Sequence, residues 1–167
     1  MNFDCETKVS PLERAATAAV EEFTSRVIAE VRKAGMQRRM TIQSFDWSTL
    51  QLVQKQAPEM RTMYLSSPRT LAPGGDGKPS PWLAGFPPEA HGGSVARAVH
   101  AAGGKIWAPN QTFLTPAMLA EARSLGLTVV PWTVNEPGMI AKLLDMGVDG
   151  IISDRPDLVQ AELRRRR

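Results

Sequence analysis

The 167-residue sequence predicts an α/β fold built from about six consecutive βα units around a parallel sheet. Two observations carry this. Short runs rich in β-branched and aromatic residues alternate along the chain with stretches whose apolar residues recur every three or four positions. The boundaries between them carry matching signals, Ser, Thr or Pro where helices open and Gly where they close. Length adds a bound: a closed (β/α)₈ barrel takes about 250 residues and eight strands, so this chain is expected to form an incomplete barrel.

The first strand is predicted over residues 3–8. Pro11 then opens a helix in which Leu12, Ala15, Ala16, Ala19, Val20, Phe23, Val27, Ile28 and Val31 share one face, with Gly35 as its C-cap. Residues 40–45 read as a second strand, 47–56 as a helix stopped by Pro58, and 61–65 as a third strand. Residues 66–93 are rich in Pro and Gly and too long for an ordinary connection, which predicts a functional or disordered loop. Ser94 caps a helix to residue 102, Gly103-Gly104 returns the chain to a strand at 105–108, and Thr115 with Pro116 starts a helix over 116–124. A strongly apolar strand over 128–134, a helix over 137–146, a short strand over 150–153 and a final helix from Pro156 complete the pattern. Residues 1–163 thus form one unit, followed by a basic tail at 164–167.

Composition excludes several classes. Hydrophobic residues make up 43% and charged residues 22%, an ordinary globular balance. The net charge of +3 rests on Arg164 to Arg167; without them 16 basic residues face 17 acidic ones, and no basic stripe with interleaved aromatics points to nucleic acid. That tail is expected to be solvated and frayed. Cys5 is the single cysteine, so neither an intrachain disulfide nor a multi-cysteine zinc site can form. No apolar run is long enough for a membrane span, and the first residues lack the pattern of a signal peptide.

Three clusters could carry chemistry. In Glu6-Thr7-Lys8, period two puts the carboxylate and the ammonium on one side of a strand. At the C-terminal mouth of a parallel barrel, a carboxylate can bind Ca²⁺ or Mg²⁺ and an ammonium can hold a phosphate oxygen. A structural ion pair accounts for the same spacing. Trp132, within Pro131-Trp132-Thr133-Val134-Asn135, could cover the apolar face of a small polyol or sit in the core, and Gln43-Ser44-Phe45-Asp46 could line a pocket or turn the chain. Gly74-Gly75-Asp76-Gly77 lies in the irregular loop and is a turn cluster; there is no dinucleotide or P-loop motif.

Four stretches, in order, resemble one family. Phe3-Asp4-Cys5-Glu6-Thr7-Lys8-Val9-Ser10-Pro11 is similar to its E-x-K strand, and Thr41-Ile42-Gln43-Ser44-Phe45-Asp46 to its "iqSFd" strand. The stretch from Gly126 to Asn135 resembles its tryptophan strand, and Gly147-Val148-Asp149-Gly150-Ile151-Ile152-Ser153-Asp154-Arg155-Pro156 its closing "GvDGIiTDrP" signature. The family is the glycerophosphodiester phosphodiesterases. The resemblance implies a TIM-type (β/α)₈ barrel lacking here its N-terminal strands, and hydrolysis of a small-molecule glycerophosphodiester to an alcohol and glycerol 3-phosphate. It further implies Glu6 as a ligand of a divalent cation, Ca²⁺ or Mg²⁺, Lys8 as the phosphate-binding residue, and Phe45 and Trp132 as contacts to glycerol.

The family's H-R-G, P-E-N-T, E-x-D and H-D motifs, which supply its catalytic histidines and further metal ligands, do not occur in the chain. His91 and His100 match none of them and are expected to have surface or packing roles. The chain alone is therefore expected to be inactive, as the C-terminal piece of an enzyme. The alternative is a non-catalytic half-barrel acting as a binding or assembly module, self-associating through its open sheet edges. The motif wording is more like that of exported bacterial members, and the 66–93 segment, with Trp82, Phe86 and His91, could shape the choice of alcohol head group or be surface.

Overall fold

The computed structural model describes residues 2–166. Its strands β1 (Phe3–Thr7), β2 (Met40–Ser44), β3 (Arg61–Ser66), β4 (Ile106–Pro109) and β5 (Thr128–Val129) are all parallel and stand side by side in chain order. Helices α1 (Val20–Lys33), α2 (Trp47–Gln56), α3 (Pro68–Leu71), α4 (Val95–Ala101), α5 (Pro116–Ser124), α6 (Pro137–Met146) and α7 (Pro156–Arg165) lie between and after them. Each strand beside its predecessor, with helices in the connections, is the arrangement of a (β/α)₈ wall, here an incomplete one.

The register divides the sheet into two faces. Thr7, Ser44, Tyr64, Trp107 and Val129 are successive partners and point toward the helices. Tyr64, Trp107 and Val129 join Ile42, Trp47, Leu50, Val99, Leu119, Ile140 and Leu143 in the main apolar core. Glu6, Gln43, Met63 and Ile106 are likewise partners and point the other way, where a much smaller cluster forms from Met63, Leu65 and Ala108 with Phe45, Ile106, Trp132 and Ile152. The two fully buried indoles of the main core are both satisfied: Trp47 donates to the Leu65 carbonyl at 3.0 Å and Trp107 to Ser66 Oγ at 2.9 Å.

The apolar strand expected over 128–134 is regular only at Thr128–Val129, and Pro131, which has no N–H, can give no ladder bond to the 150–153 segment on its far side. Its direction continues nonetheless. The Val130 N–H donates to the Trp107 carbonyl at 2.9 Å and the Trp132 N–H to that of Pro109 at 3.1 Å. The strand expected over 150–153 is likewise not regular, yet it lies beside β5 as a sixth, loosely paired strand. Asp149 donates to the Val129 carbonyl, Ile152 to that of Pro131, and Val134 to that of Ile152.

Two expectations, on the first helix and the basic end, are corrected, and a third, on residues 66–93, is narrowed to one of its alternatives. The first helix begins at Val20, not at Pro11; residues 11–19 hold only a 3₁₀ turn at Arg14–Ala16, and Leu12 is two-thirds exposed. Ser10 Oγ accepts the Leu12 N–H, a local bond that competes with helix, and no sheet lies under the apolar positions of this segment. The 66–93 segment is ordered: Ser67 and Thr70 form a capping box on α3, Ser80 Oγ donates to the Thr70 carbonyl at 2.6 Å, and 3₁₀ turns follow at Pro81–Leu83 and Pro88–His91, burying Leu83. The basic end is helical through Arg165, where Arg165 and Arg166 pair with Glu162 and Arg166 also with Asp145; Arg167 lies outside the described residues.

Candidate functional site

Period two decides what each residue of Gln43-Ser44-Phe45-Asp46 does. Ser44 and Asp46 turn away from the inner face and build the corner after β2. Ser44 Oγ donates to the Thr7 carbonyl and accepts the Asp46 N–H, both at 3.1 Å. The fully buried Asp46 carboxylate accepts the N–H and hydroxyl of Ser48 at the start of α2, and takes the Arg14 guanidinium at 2.7 Å. Gln43 and Phe45 face the other way, into a cavity of about 260 Å³ at the C-terminal ends of the strands. Lining the pocket and turning the chain are thus both true, of alternate residues.

Glu6, Lys8 and Trp132 reach the same cavity from β1 and from the segment after β5, with Leu65, Thr133 and Ile152 completing its wall. The structure therefore brings together all four residues singled out from sequence. Lys8 Nζ stands 2.8 Å from Glu6 Oε1 and is 78% exposed. A pair this open is worth about 0.2–1 kcal/mol, so an anion can draw the ammonium away at little loss. Trp132 is held by its indole N–H on the Ala108 carbonyl at 2.8 Å, and its ring meets Phe45 edge-on at 5.2 Å. Gln43 Oε1 is buried with no hydrogen-bond partner among the described residues, an acceptor facing a polar cavity. Asp4, one period below Glu6, has its carboxyl pushed up to about 6, by crowding that strips its water and secondarily by the Glu6 charge.

The residues of this chain do not by themselves make a cation site. No group of three or more His, Cys, Asp or Glu is placed to hold a metal among the described residues, and Glu6 is engaged by Lys8. Neither histidine lines the cavity: His91 stacks on Phe86 in the loop after α3, and His100 is exposed on α4. Trp82, one of the side chains of the 66–93 segment that sequence left open between shaping the choice of alcohol and plain surface, and Arg69, which sequence reasoning passed over, line a second cavity of about 230 Å³ beside Lys8. For Arg69 the sequence carries no signal of its own, since a lone arginine in a Pro-rich stretch fits any surface loop.

The model of the glycerophosphoryl diester phosphodiesterase family matches residues 1–158. A Mycobacterium tuberculosis protein named "Probable glycerophosphodiester phosphodiesterase 2" is 49% identical over 47 residues, 28% of this chain and 18% of its own. Among solved structures, a Silicibacter pomeroyi protein assigned as a glycerophosphoryl diester phosphodiesterase superposes with a TM-score of 0.80 at 36% identity, covering 99% of this chain and 51% of its own. An Oleispira antarctica phosphodiesterase solved with its product sn-glycerol-3-phosphate shares the fold at 17% identity and a TM-score of 0.68, over 98% of this chain and 56% of that one. The chain spans about half the length of these structures. No helix among the described residues is long and apolar enough to cross a membrane. With its parallel wall, its E-x-K strand and its aromatic pair at the strand ends accounted for, the chain belongs to the glycerophosphoryl diester phosphodiesterase family.

Proposed function

We propose that this chain provides the glycerol phosphate-binding part of a glycerophosphodiester phosphodiesterase, which hydrolyses its substrate to an alcohol and glycerol 3-phosphate. The observation that carries the reading is the convergence of Glu6, Lys8, Phe45 and Trp132 on one cavity from three separate stretches of sequence. In it the Lys8 ammonium holds a phosphate oxygen, and the perpendicular rings of Phe45 and Trp132 cover the C–H face of glycerol. Gln43 Oε1, without a partner among the described residues, accepts from a glycerol hydroxyl. Glu6 contributes one oxygen to a divalent cation, Ca²⁺ or Mg²⁺, whose useful binding takes several more ligands than this chain assembles. Such a cation polarises the phosphoryl group when bound.

Hydrolysis also needs a proton donor for the leaving alcohol and a group to take the proton of water. No histidine lines the cavity to do either. The 167-residue chain is therefore expected to bind sn-glycerol 3-phosphate without hydrolysing glycerophosphodiesters. Calorimetric titration checks the first half: Lys8→Ala and Trp132→Ala should each weaken binding about tenfold, one lost charge-assisted bond or stacking surface. Release of choline from glycerophosphocholine by the pure chain would overturn the second half, and binding indifferent to both substitutions the first.

A further inference from the structure

Two cavities meet at the E-x-K strand. Glu6, Lys8 and Phe45 line both of them. One runs toward Trp132, and the other runs past Ser10 to Arg69 in α3 and Trp82 in the turn beyond it. Phe45 is the partition between them. Its ring meets Trp132 edge-on at 5.2 Å and 82° on one side, and Trp82 at 6.5 Å and 83° on the other. A phosphodiester has this same layout, a central anion with an alcohol arm on either side, and the Glu6–Lys8 pair stands where the two cavities join.

The second cavity has a definite charge. Glu6 and Lys8 offset one another, which leaves Arg69. Its side chain is exposed and has no ion-pair or hydrogen-bond partner among the described residues. A guanidinium offers a planar fork of donors matched to a carboxylate or phosphate. A quaternary ammonium placed there would gain a cation–π contact with Trp82 and meet the like charge of Arg69 at the same time. A zwitterionic arm gains from both groups, its ammonium from Trp82 and its carboxylate from Arg69, and an anionic arm gains from Arg69.

We propose that this cavity takes the second alcohol arm of the diester, and that Arg69 selects arms bearing a carboxylate or phosphate over a quaternary ammonium. The inference rests on the reading of the first cavity as the glycerol phosphate site. The substrate class is then a glycerophosphodiester of the serine type in preference to the choline type.

Calorimetry on the 167-residue chain with three probes tests this: sn-glycerol 3-phosphate, glycerophosphoserine and glycerophosphocholine. The expected result is that the serine diester binds at least about fivefold more tightly than the choline diester, and that Arg69→Gln brings the ratio close to one. Arg69 is an exposed surface residue, so the variant should fold, and an unchanged circular dichroism spectrum checks that it has. Binding of sn-glycerol 3-phosphate with a preference for choline, with a ratio that survives Arg69→Gln, or with no binding of either diester overturns the inference alone. Failure of the wild-type chain to bind sn-glycerol 3-phosphate removes the reading of the site and this inference with it.

Discussion

The side chains of β1 illustrate how position along one strand sets chemistry. Asp4, Glu6 and Lys8 share the inner face at successive periods. Asp4 is displaced strongly from its ordinary range, to about 6 from 3.8, by loss of water first and by Glu6 second. A carboxyl raised in this way binds its proton more tightly in the folded chain than in the unfolded one, so its contribution to stability is present below about pH 4 and is lost as pH rises through about 6. Asp4→Asn should therefore raise the unfolding temperature above pH 6, by roughly 1–3 °C since solvent at this edge screens the charge, and change nothing below pH 4. Thermal unfolding of both proteins at pH 4 and 7.5 checks it; a gain at pH 4 equal to that at pH 7.5 would show that charge is not the cause. Glu6, Lys8, Phe45 and Trp132 were legible in the sequence because strand period and motif resemblance pointed to them together. Trp82 was legible only as a loop side chain that could shape the choice of alcohol, and Arg69 not at all, because their place beside Lys8 depends on the path of a loop, which no period encodes.

At the scale of elements, the sequence indicated strands and helices well wherever a sheet lies beneath them. α2, α5 and α6 keep the limits read from the sequence, as with Pro58 beyond the end of α2 and Thr115 and Pro116 at the start of α5. The misreading of residues 11–19 has the opposite cause. The apolar spacing there is helical, but Arg14 is tied to the buried Asp46 and nothing apolar covers Leu12. The return from α4 to β4 shows how tightly these elements pack. A Cβ on Gly104 would lie 2.6 Å from Val99 Cγ1 and 2.9 Å from both Tyr64 Cδ2 and the Val99 carbonyl oxygen. The last of these is backbone and cannot swing aside. Gly104→Ala should thus lose about 1–3 kcal/mol, measured by urea unfolding, whereas full stability in the variant would mean that α4 is free to shift along the sheet.

For the whole molecule, the decisive fact is that one sheet serves two very unequal interiors. The face toward the helices carries most of the buried apolar mass, and the inner face carries a thin cluster and the cavities. This division was implicit in the alternation of every strand, yet the extent of the wall was not, since the regular pairing that the apolar run from 128 to 134 promises stops at Val129. It has an optical consequence. The four tryptophans fall evenly on the two sides: Trp47 and Trp107 are fully buried against the helices, while Trp82 and Trp132 border the cavities. Intrinsic fluorescence should then consist of two independent populations, a blue-emitting pair that acrylamide does not reach and a red-emitting pair that it quenches. Addition of sn-glycerol 3-phosphate should alter only the second pair, and Trp132→Phe should remove most of that change while the emission of the core pair continues to report that the wall is intact.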